Sequence, residues 1–232
     1  MSKAETTGSL SLPLPWLSAL SSQYRIILAS ASPRRKELLD RLNIEYEVIP
    51  SEFAENLDKS QFASAKGYVL ETACKKTEEV YNRIKREMET HQQQWRRLLV
   101  IGADTIVVSS DGTILEKPAS ADEAAAVLRE KLSGKTNTVH TGICLFVDGA
   151  DDGLSIEKHV ESTKVTFHTL DDALIDAYVA TGEPMDKAGS YAYQSLAGFF
   201  VKEISGDYYN VVGFPCALFY QILSTLHKRC VF

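Results

Sequence analysis

A chain of 232 residues with 44% hydrophobic and 24% charged residues is long enough to bury a large core, as one domain or two closely joined lobes. Its net charge of −6 argues against a binder of nucleic-acid polymers, which would show a basic excess or stripe. Cys74, Cys144, Cys216 and Cys230 are scattered without a Cys-x-x-Cys pair, so no disulfide framework is expected, and Cys144 and Cys216 read as packing residues in a reducing compartment.

Near the N-terminus, Leu10, Leu12, Leu14, Trp16, Leu17 and Leu20 are interrupted by Pro13 and Pro15, with no basic leader before them. This fits neither a cleavable signal nor a membrane span. It predicts an extension laid on the surface, with a short helix near Trp16 to Ser21. No transmembrane segment is visible, so a cytoplasmic location is expected.

Ile26-Ile27-Leu28-Ala29 reads as a buried strand. Ser30-Ala31-Ser32 makes a short loop and Pro33 opens a helix. Ser32 is placed to cap it through its side-chain oxygen, and proline at the first helical position loses no needed donor. Leu38, Leu39 and Leu42 share one face of that helix. Arg34 and Arg35 occupy its first turn, where free amides and the positive end of the macrodipole favour acidic residues. Two cations there are unfavourable unless an anion is bound. With the Ser30 and Ser32 hydroxyls alongside, the run predicts a phosphate or polyphosphate site. Two solvated surface arginines are the plain alternative.

Tyr46 to Pro50 reads as a strand ended by proline, followed by a polar loop from Ser51 to Ser60 that holds Glu52 and Glu55. Helical patterning runs from roughly Phe62 to Arg86 and fades through a charged, Gln-rich stretch, Lys85 to Arg97. Leu98 to Ala103 is a continuous apolar run, the mark of a strand buried on both faces. Ile106-Val107-Val108 continues it, and Asp111-Gly112 turns the chain into Thr113-Ile114-Leu115. Ser120-Ala121-Asp122-Glu123 is a capping-box pattern for an Ala-rich helix ending at Gly134. Two long β-patterned runs follow, Thr138 to Val147 and Lys158 to His168. Thr169 is placed to cap a helix over Asp171 to Ala180 that Gly182 stops. Phe199 to Val201 reads as a strand, and Pro215 opens a C-terminal helix to about His227. Strands and helices mix without strict alternation, which predicts a mixed, strongly curved α/β sheet flanked by helices. Asp104 sits where the buried strand meets Thr105, and a carboxylate there needs a partner or a metal. On the residues alone, a catalytic aspartate and one satisfied by backbone amides stand equal.

The run Ser30-Ala31-Ser32-Pro33-Arg34-Arg35 with Leu38-Leu39 resembles the N-terminal signature of the Maf family of nucleoside triphosphate pyrophosphatases. Gly102-Ala103-Asp104-Thr105, Glu116-Lys117-Pro118, Leu132-Ser133-Gly134, Gly182 to Gly189 and Gly206 to Gly213 resemble further blocks of that family, in family order. The resemblance covers the chain from about Arg25 to the C-terminal helix. It implies an N-terminal extension over residues 1–24, a Maf-like domain over 25–232, and two lobes around a central cleft. It gives Asp104 the acid/base role and makes Glu52, with Asp104, the carboxylate pair for a metal. Lys76, Lys117 and Lys187 are implied to face the triphosphate beside Ser30, Ser32, Arg34 and Arg35. Thr72-Ala73-Cys74-Lys75-Lys76 departs from the family's Leu-Ala-x-x-Lys-Ala and leaves Lys75 as a rival to Lys76. Pyrophosphate cleavage needs a water nucleophile, a divalent cation such as Mg²⁺ or Mn²⁺, and a carboxylate to hold one or both. Mg²⁺ binds through one or two carboxylates plus phosphates, so no full protein cage is expected.

Within the family, Ala-Asp-Thr and a glutamine after an aromatic pair resemble the dTTP/UTP branch, while the 7-methyl-GTP branch carries Ser-Asp-Gln and a glutamate. Arg34, Thr105 and Gln194 fall on the pyrimidine side, and a carboxamide offers the donor and acceptor that a uracil or thymine edge requires. Asn137 stands where the family commonly has a histidine, so no histidine is given a role. The implied activity is hydrolysis of dTTP or UTP to the monophosphate and pyrophosphate. The implied partner is a small nucleoside triphosphate, with no nucleic-acid polymer and no membrane; a homodimer is compatible with the sequence. A purine or 7-methyl-GTP preference and a non-catalytic nucleotide-binding regulator of cell division are the rival readings. No Gly-Lys-Ser/Thr ending follows any Gly-rich block, which excludes a P-loop.

Overall fold

The computed structural model describes residues 15–42, 44–91, 97–149 and 153–231. Pro15–Gln23 (α1) leads into Tyr24–Leu28 (β1), Pro33–Asp40 (α2) and a two-residue strand, Glu47–Val48 (β2). The long helix Ala65–His91 (α3) precedes Arg97–Val108 (β3), which turns back into Ile114–Leu115 (β4). Ala121–Ala126 (α4) continues in wider π-type turns over Val127–Leu132. Thr136–Asp148 (β5) and Leu154–Phe167 (β6) form a long hairpin. Asp172–Ala180 (α5), Val201–Ser205 (β7), Tyr208–Val212 (α6) and Cys216–Lys228 (α7) complete the described chain.

The seven strands make one mixed sheet of order β2-β1-β3-β5-β6-β7, with β4 on the far end of β3. β1 runs parallel to β2 and β3, and the pairs from β3 to β7 are antiparallel. β7 pairs only with Lys164–Phe167 of β6, so among the described residues Leu154–Thr163 has no partner on its outer side.

Apolar residues gather in two places along this sheet. Around β1 and the first half of β3, Leu38 and Leu39 of α2 and Phe219 and Leu223 of α7 pack on one face, and Val80 and Ile84 of α3 on the other. Farther along, Val107, Leu115, Leu128, Val139, Phe167, Ile175 and Tyr178 form a second cluster under α4 and α5. The expected mixed sheet flanked by helices is present.

Several local expectations are corrected. α1 is not laid on the surface: Leu17 and Leu20 are each 1% exposed and belong to the first core cluster. Residues 1–14 of the expected extension lie outside the described residues. Helical structure does not fade at Arg86 but runs to His91, and after the undescribed 92–96 Arg97 already belongs to β3. The cap of α5 is Asp171, whose carboxylate accepts the Leu174 amide, and not Thr169. Phe199 ends a 3₁₀ turn, and the strand begins only at Val201. Ser32 stands at the N-cap of α2, yet its hydroxyl makes no capping bond.

Two glycines set how closely α3 lies on the sheet. A Cβ at Gly102 would collide with Thr77 Oγ1 and sit 3.0 Å from the Ala73 carbonyl, and one at Gly142 would sit 2.7 Å from the Val69 carbonyl. Gly142 is the cross-strand partner of Asp104. The helix therefore rests on backbone on either side of Asp104, which brings its side chains within reach of that carboxylate.

Because α1 contributes to the core, Leu17→Ala is expected to destabilise the fold by about 2–5 kcal/mol in urea unfolding. A change within about 0.5 kcal/mol, as for a surface position, would show that the helix is dispensable to the core.

Candidate active site

A cavity of about 650 Å³ opens between the two clusters. One side is the turn from β1 into α2, Ala29 to Arg35. The other is built from Val107, Leu115 to Lys117 and Asp186 to Ala188, and Asp104 and Thr105 of β3 lie between them.

The arginine pair divides its labour. Arg35 is 9% exposed, and its guanidinium donates to the Gly213 carbonyl at 3.0 Å, to Ser30 Oγ at 3.1 Å and to Thr105 Oγ1 at 3.0 Å. It thus braces the β1–α2 turn against β3 and the chain after α6. Burial lowers its pKa from the usual arginine range, with the Asp104 and Glu55 carboxylates acting in the opposite sense. An arginine stays charged near neutral pH. Arg34 is half-buried, lines the cavity, and makes no hydrogen bond or ion pair to a described residue. Ser30 Oγ also accepts the Ser32 amide at 3.2 Å, which tightens the turn. The helix start is therefore both a brace and an electropositive face, with α2 amides and Arg34 open to an anion.

Asp104 is held by Lys76 of α3, whose ammonium lies 2.8 Å from its carboxylate. The same ammonium lies 2.7 Å from Glu55. Lys75, the rival position, points away and pairs with Glu78 at 2.9 Å and Glu71 at 3.9 Å. Glu52 does not join this cluster. Its side chain is 76% exposed, 3.4 Å from Arg83, and absent from the cavity wall. Glu55, three residues on, supplies the second carboxylate instead. It is one of few non-glycine residues with positive φ (51°), a conformation that turns the loop inward toward Lys76.

Two carboxylates that converge on one ammonium mark a position where positive charge is already favoured. No group of three or more His, Cys, Asp or Glu side chains suited to a metal occurs among the described residues. A pair of carboxylates matches the way Mg²⁺ is usually held, with water and phosphate oxygens completing its shell.

Of the other expected residues, Lys117 and Lys187 line the cavity, and Lys187 is ion-paired with Asp186. Thr105 lines it too, with its hydroxyl engaged by Arg35 and by Thr141 at 3.0 Å. Gln194 is exposed on the turn after Tyr193 and does not line the cavity. Asn137 is buried, donating to the Val165 carbonyl and accepting from Tyr191, so it props the wall from behind. No described helix is long and apolar enough to cross a membrane.

The family model described as Maf-like protein matches residues 25–226. A human protein named probable bifunctional dTTP/UTP pyrophosphatase/methyltransferase is 44% identical over 207 residues, covering 88% of this chain. The chain spans only 32% of that relative's length. A dTTP/UTP pyrophosphatase from Thermococcus onnurineus is 43% identical over 197 residues, covering 85% of this chain and 95% of its own. One from Thermotoga maritima is 41% identical over 203 residues, covering 86% and 88%. A solved dITP/XTP pyrophosphatase from Mycobacterium abscessus aligns over 63% of this chain and 75% of its own at 12% identity and a TM-score of 0.32, a distant likeness. The signature at Ser30–Arg35, the block around Asp104 and the cavity they share all fall inside the matched residues 25–226, and the chain belongs to the Maf family.

Proposed function

We propose that this protein is a nucleoside triphosphate pyrophosphatase that cleaves dTTP and UTP between the α- and β-phosphates, releasing the nucleoside monophosphate and pyrophosphate. One observation carries the reading: the Asp104–Lys76–Glu55 cluster faces the arginine-bearing start of α2 across a single cavity. A carboxylate that can hold a water thus stands opposite a device for binding phosphate.

In this reading the phosphates lie against the α2 amides and Arg34, with Lys117 and Lys187 on the opposite side. Asp104 orients the attacking water and takes its proton as oxygen bonds to the α-phosphorus and pyrophosphate departs. Lys76 sets the position of Asp104 and adds positive charge where the transition state gains negative charge. Asp104 and Glu55 would hold a Mg²⁺ ion, whose contribution is to neutralise the phosphate oxygens and lower the pKa of bound water. The base lies toward the apolar side of the cavity, formed by Val107, Leu115, Val139, Ala188 and Tyr191. The pyrimidine preference rests on the relatives named dTTP/UTP pyrophosphatases. Gln194 stays off the cavity wall and is given no part in it.

On a panel of UTP, dTTP, CTP, GTP and 7-methyl-GTP, pyrophosphate release from UTP and dTTP is expected to exceed the rest by at least about tenfold in kcat/KM. Preference for 7-methyl-GTP would end the pyrimidine assignment. Asp104→Asn keeps the shape and removes the charge, so turnover is expected to fall by about 10²–10⁴-fold, the usual worth of general-base catalysis, with UTP still bound. Unchanged turnover would reduce Asp104 to a partner of Lys76. The two arginines should separate: Arg34→Ala raises KM with thermal stability unchanged, whereas Arg35→Ala lowers Tm as well, because it removes three hydrogen bonds that tie the β1–α2 turn to β3 and the chain after α6. Equal effects on Tm would refute the division.

A further inference from the structure

The segment from Pro50 to Gln61 crosses from the end of β2 to the end of β4, and Pro50, Ser51 and Glu55 line the cavity as it passes. It is fastened at both ends. At the first, the Glu79 carboxylate of α3 accepts the Ser51 hydroxyl at 2.9 Å and the Glu52 amide at 3.0 Å. Glu79 is itself clamped by Arg83 at 2.8 Å, and Arg83 also donates to the Pro50 carbonyl at 2.9 Å. At the second, Lys59 is ion-paired with Glu116 and lies 5.5 Å from the ring centre of Tyr68. Leu57 and Phe62 pack nearby against Tyr68, Val69, Ile106 and Val108. Between the fastenings Glu55 holds its left-handed backbone and reaches Lys76.

A residue with a Cβ keeps that conformation only where its surroundings over-determine it. The side chain of Glu55 is 54% exposed, so it is held by its ion pair to Lys76 and not by packing around it. Its backbone is fixed by that ion pair together with the fastenings of the segment at its two ends. Glu79 follows Lys76 by three residues on the same helix, so the two lie on one face, and the first fastening and the cluster share one rigid support.

Resting on the reading that Asp104 and Glu55 work together on a phosphate, we infer that Pro50–Gln61 is a strap that delivers Glu55 to the site. Glu79, with Lys59 as the second clasp, is a positioning residue for the reaction and acts through Glu55 without touching substrate. The competing explanation is that Glu79 and Arg83 are an ordinary partly exposed pair along a helix, worth little beyond local stability.

The experiment compares Glu79→Ala, Glu79→Gln and Lys59→Ala in the wild-type and Glu55→Gln backgrounds. It follows pyrophosphate release from UTP in single turnovers at enzyme excess, which reads even slow hydrolysis. Amide hydrogen exchange over residues 51–61 is measured in parallel without nucleotide. In the wild-type background Glu79→Ala is expected to slow turnover by about tenfold, as misplacement of a supporting group does, with Tm little changed. Lys59→Ala, which removes an exposed pair, should have a smaller effect in the same direction. Strap exchange should accelerate in both variants, and Glu79→Gln, which keeps an acceptor, should recover much of the loss. In the Glu55→Gln background the same substitutions should change turnover by less than about twofold, because the group they position is gone. Equal losses in both backgrounds, or unaltered exchange of the strap, would overturn the proposal. If the wild-type protein released no pyrophosphate, the catalytic reading would fall, and the exchange comparison would still decide whether Glu79 fastens the strap.

Discussion

A carboxylate set among apolar neighbours in a twelve-residue strand needs a polar partner, and the cleft is arranged around supplying one. The partner is Lys76, and it can reach Asp104 because α3 rests on the sheet at Gly102 and Gly142, where a side chain would push the helix away. The pairing of Asp104 with Gly142 across β3 and β5 then becomes more than a register detail. It places bare backbone beside the acid, so the helix can descend there. Glu55 reaches the same ammonium from the loop after β2, so one cation brings the two carboxylates together.

The arginines at the start of α2 show how one anomaly can have two causes. Two cations where a helix prefers acids call for either a bound anion or solvated side chains. For Arg35 neither is the main account. Its guanidinium donates to a carbonyl and two hydroxyls from three separate elements, which makes it the pin between the turn and β3. Arg34 alone retains the profile of a ligand contact, lining the cavity without a described partner.

The legible parts of this fold were those with a period or a long apolar run. β3, β5, β6, α2 and α7 could be read because their patterns extend over many residues, and the Asp111-Gly112 turn because only a narrow set of residues suits it. The readings that stayed open or went wrong fall where spacing carries no phase. Glu52 and Glu55 share a polar loop, and nothing in its composition says that the backbone turns inward at the second. Lys75 and Lys76 are neighbours in sequence but about 100° apart around the helix, so only the packing of α3 decides between them. Leu17 and Leu20 belong to a segment too short and proline-flanked to announce a core helix, and their burial depends on the distant α7. Gln194 matched a family position in sequence, yet its turn carries it away from the cavity wall.

Among the described residues, the outer side of β6 over 154–163 bears on how copies of this chain could meet. Leu154 and Ile156 are each 44% exposed on a stretch of ten residues, 154–163, whose backbone groups face away from β5 without a described strand to receive them. Such an edge is a template for any passing strand. Here the apolar pair is followed at once by Glu157, Lys158 and Glu161, and Arg229 beyond α7 closes on Glu157 at 2.7 Å. A strand that added to this edge would have to bury those charges or break that ion pair. The acidic and basic side chains of β6 thus place charge along an edge that would otherwise offer only an apolar pair to an added strand.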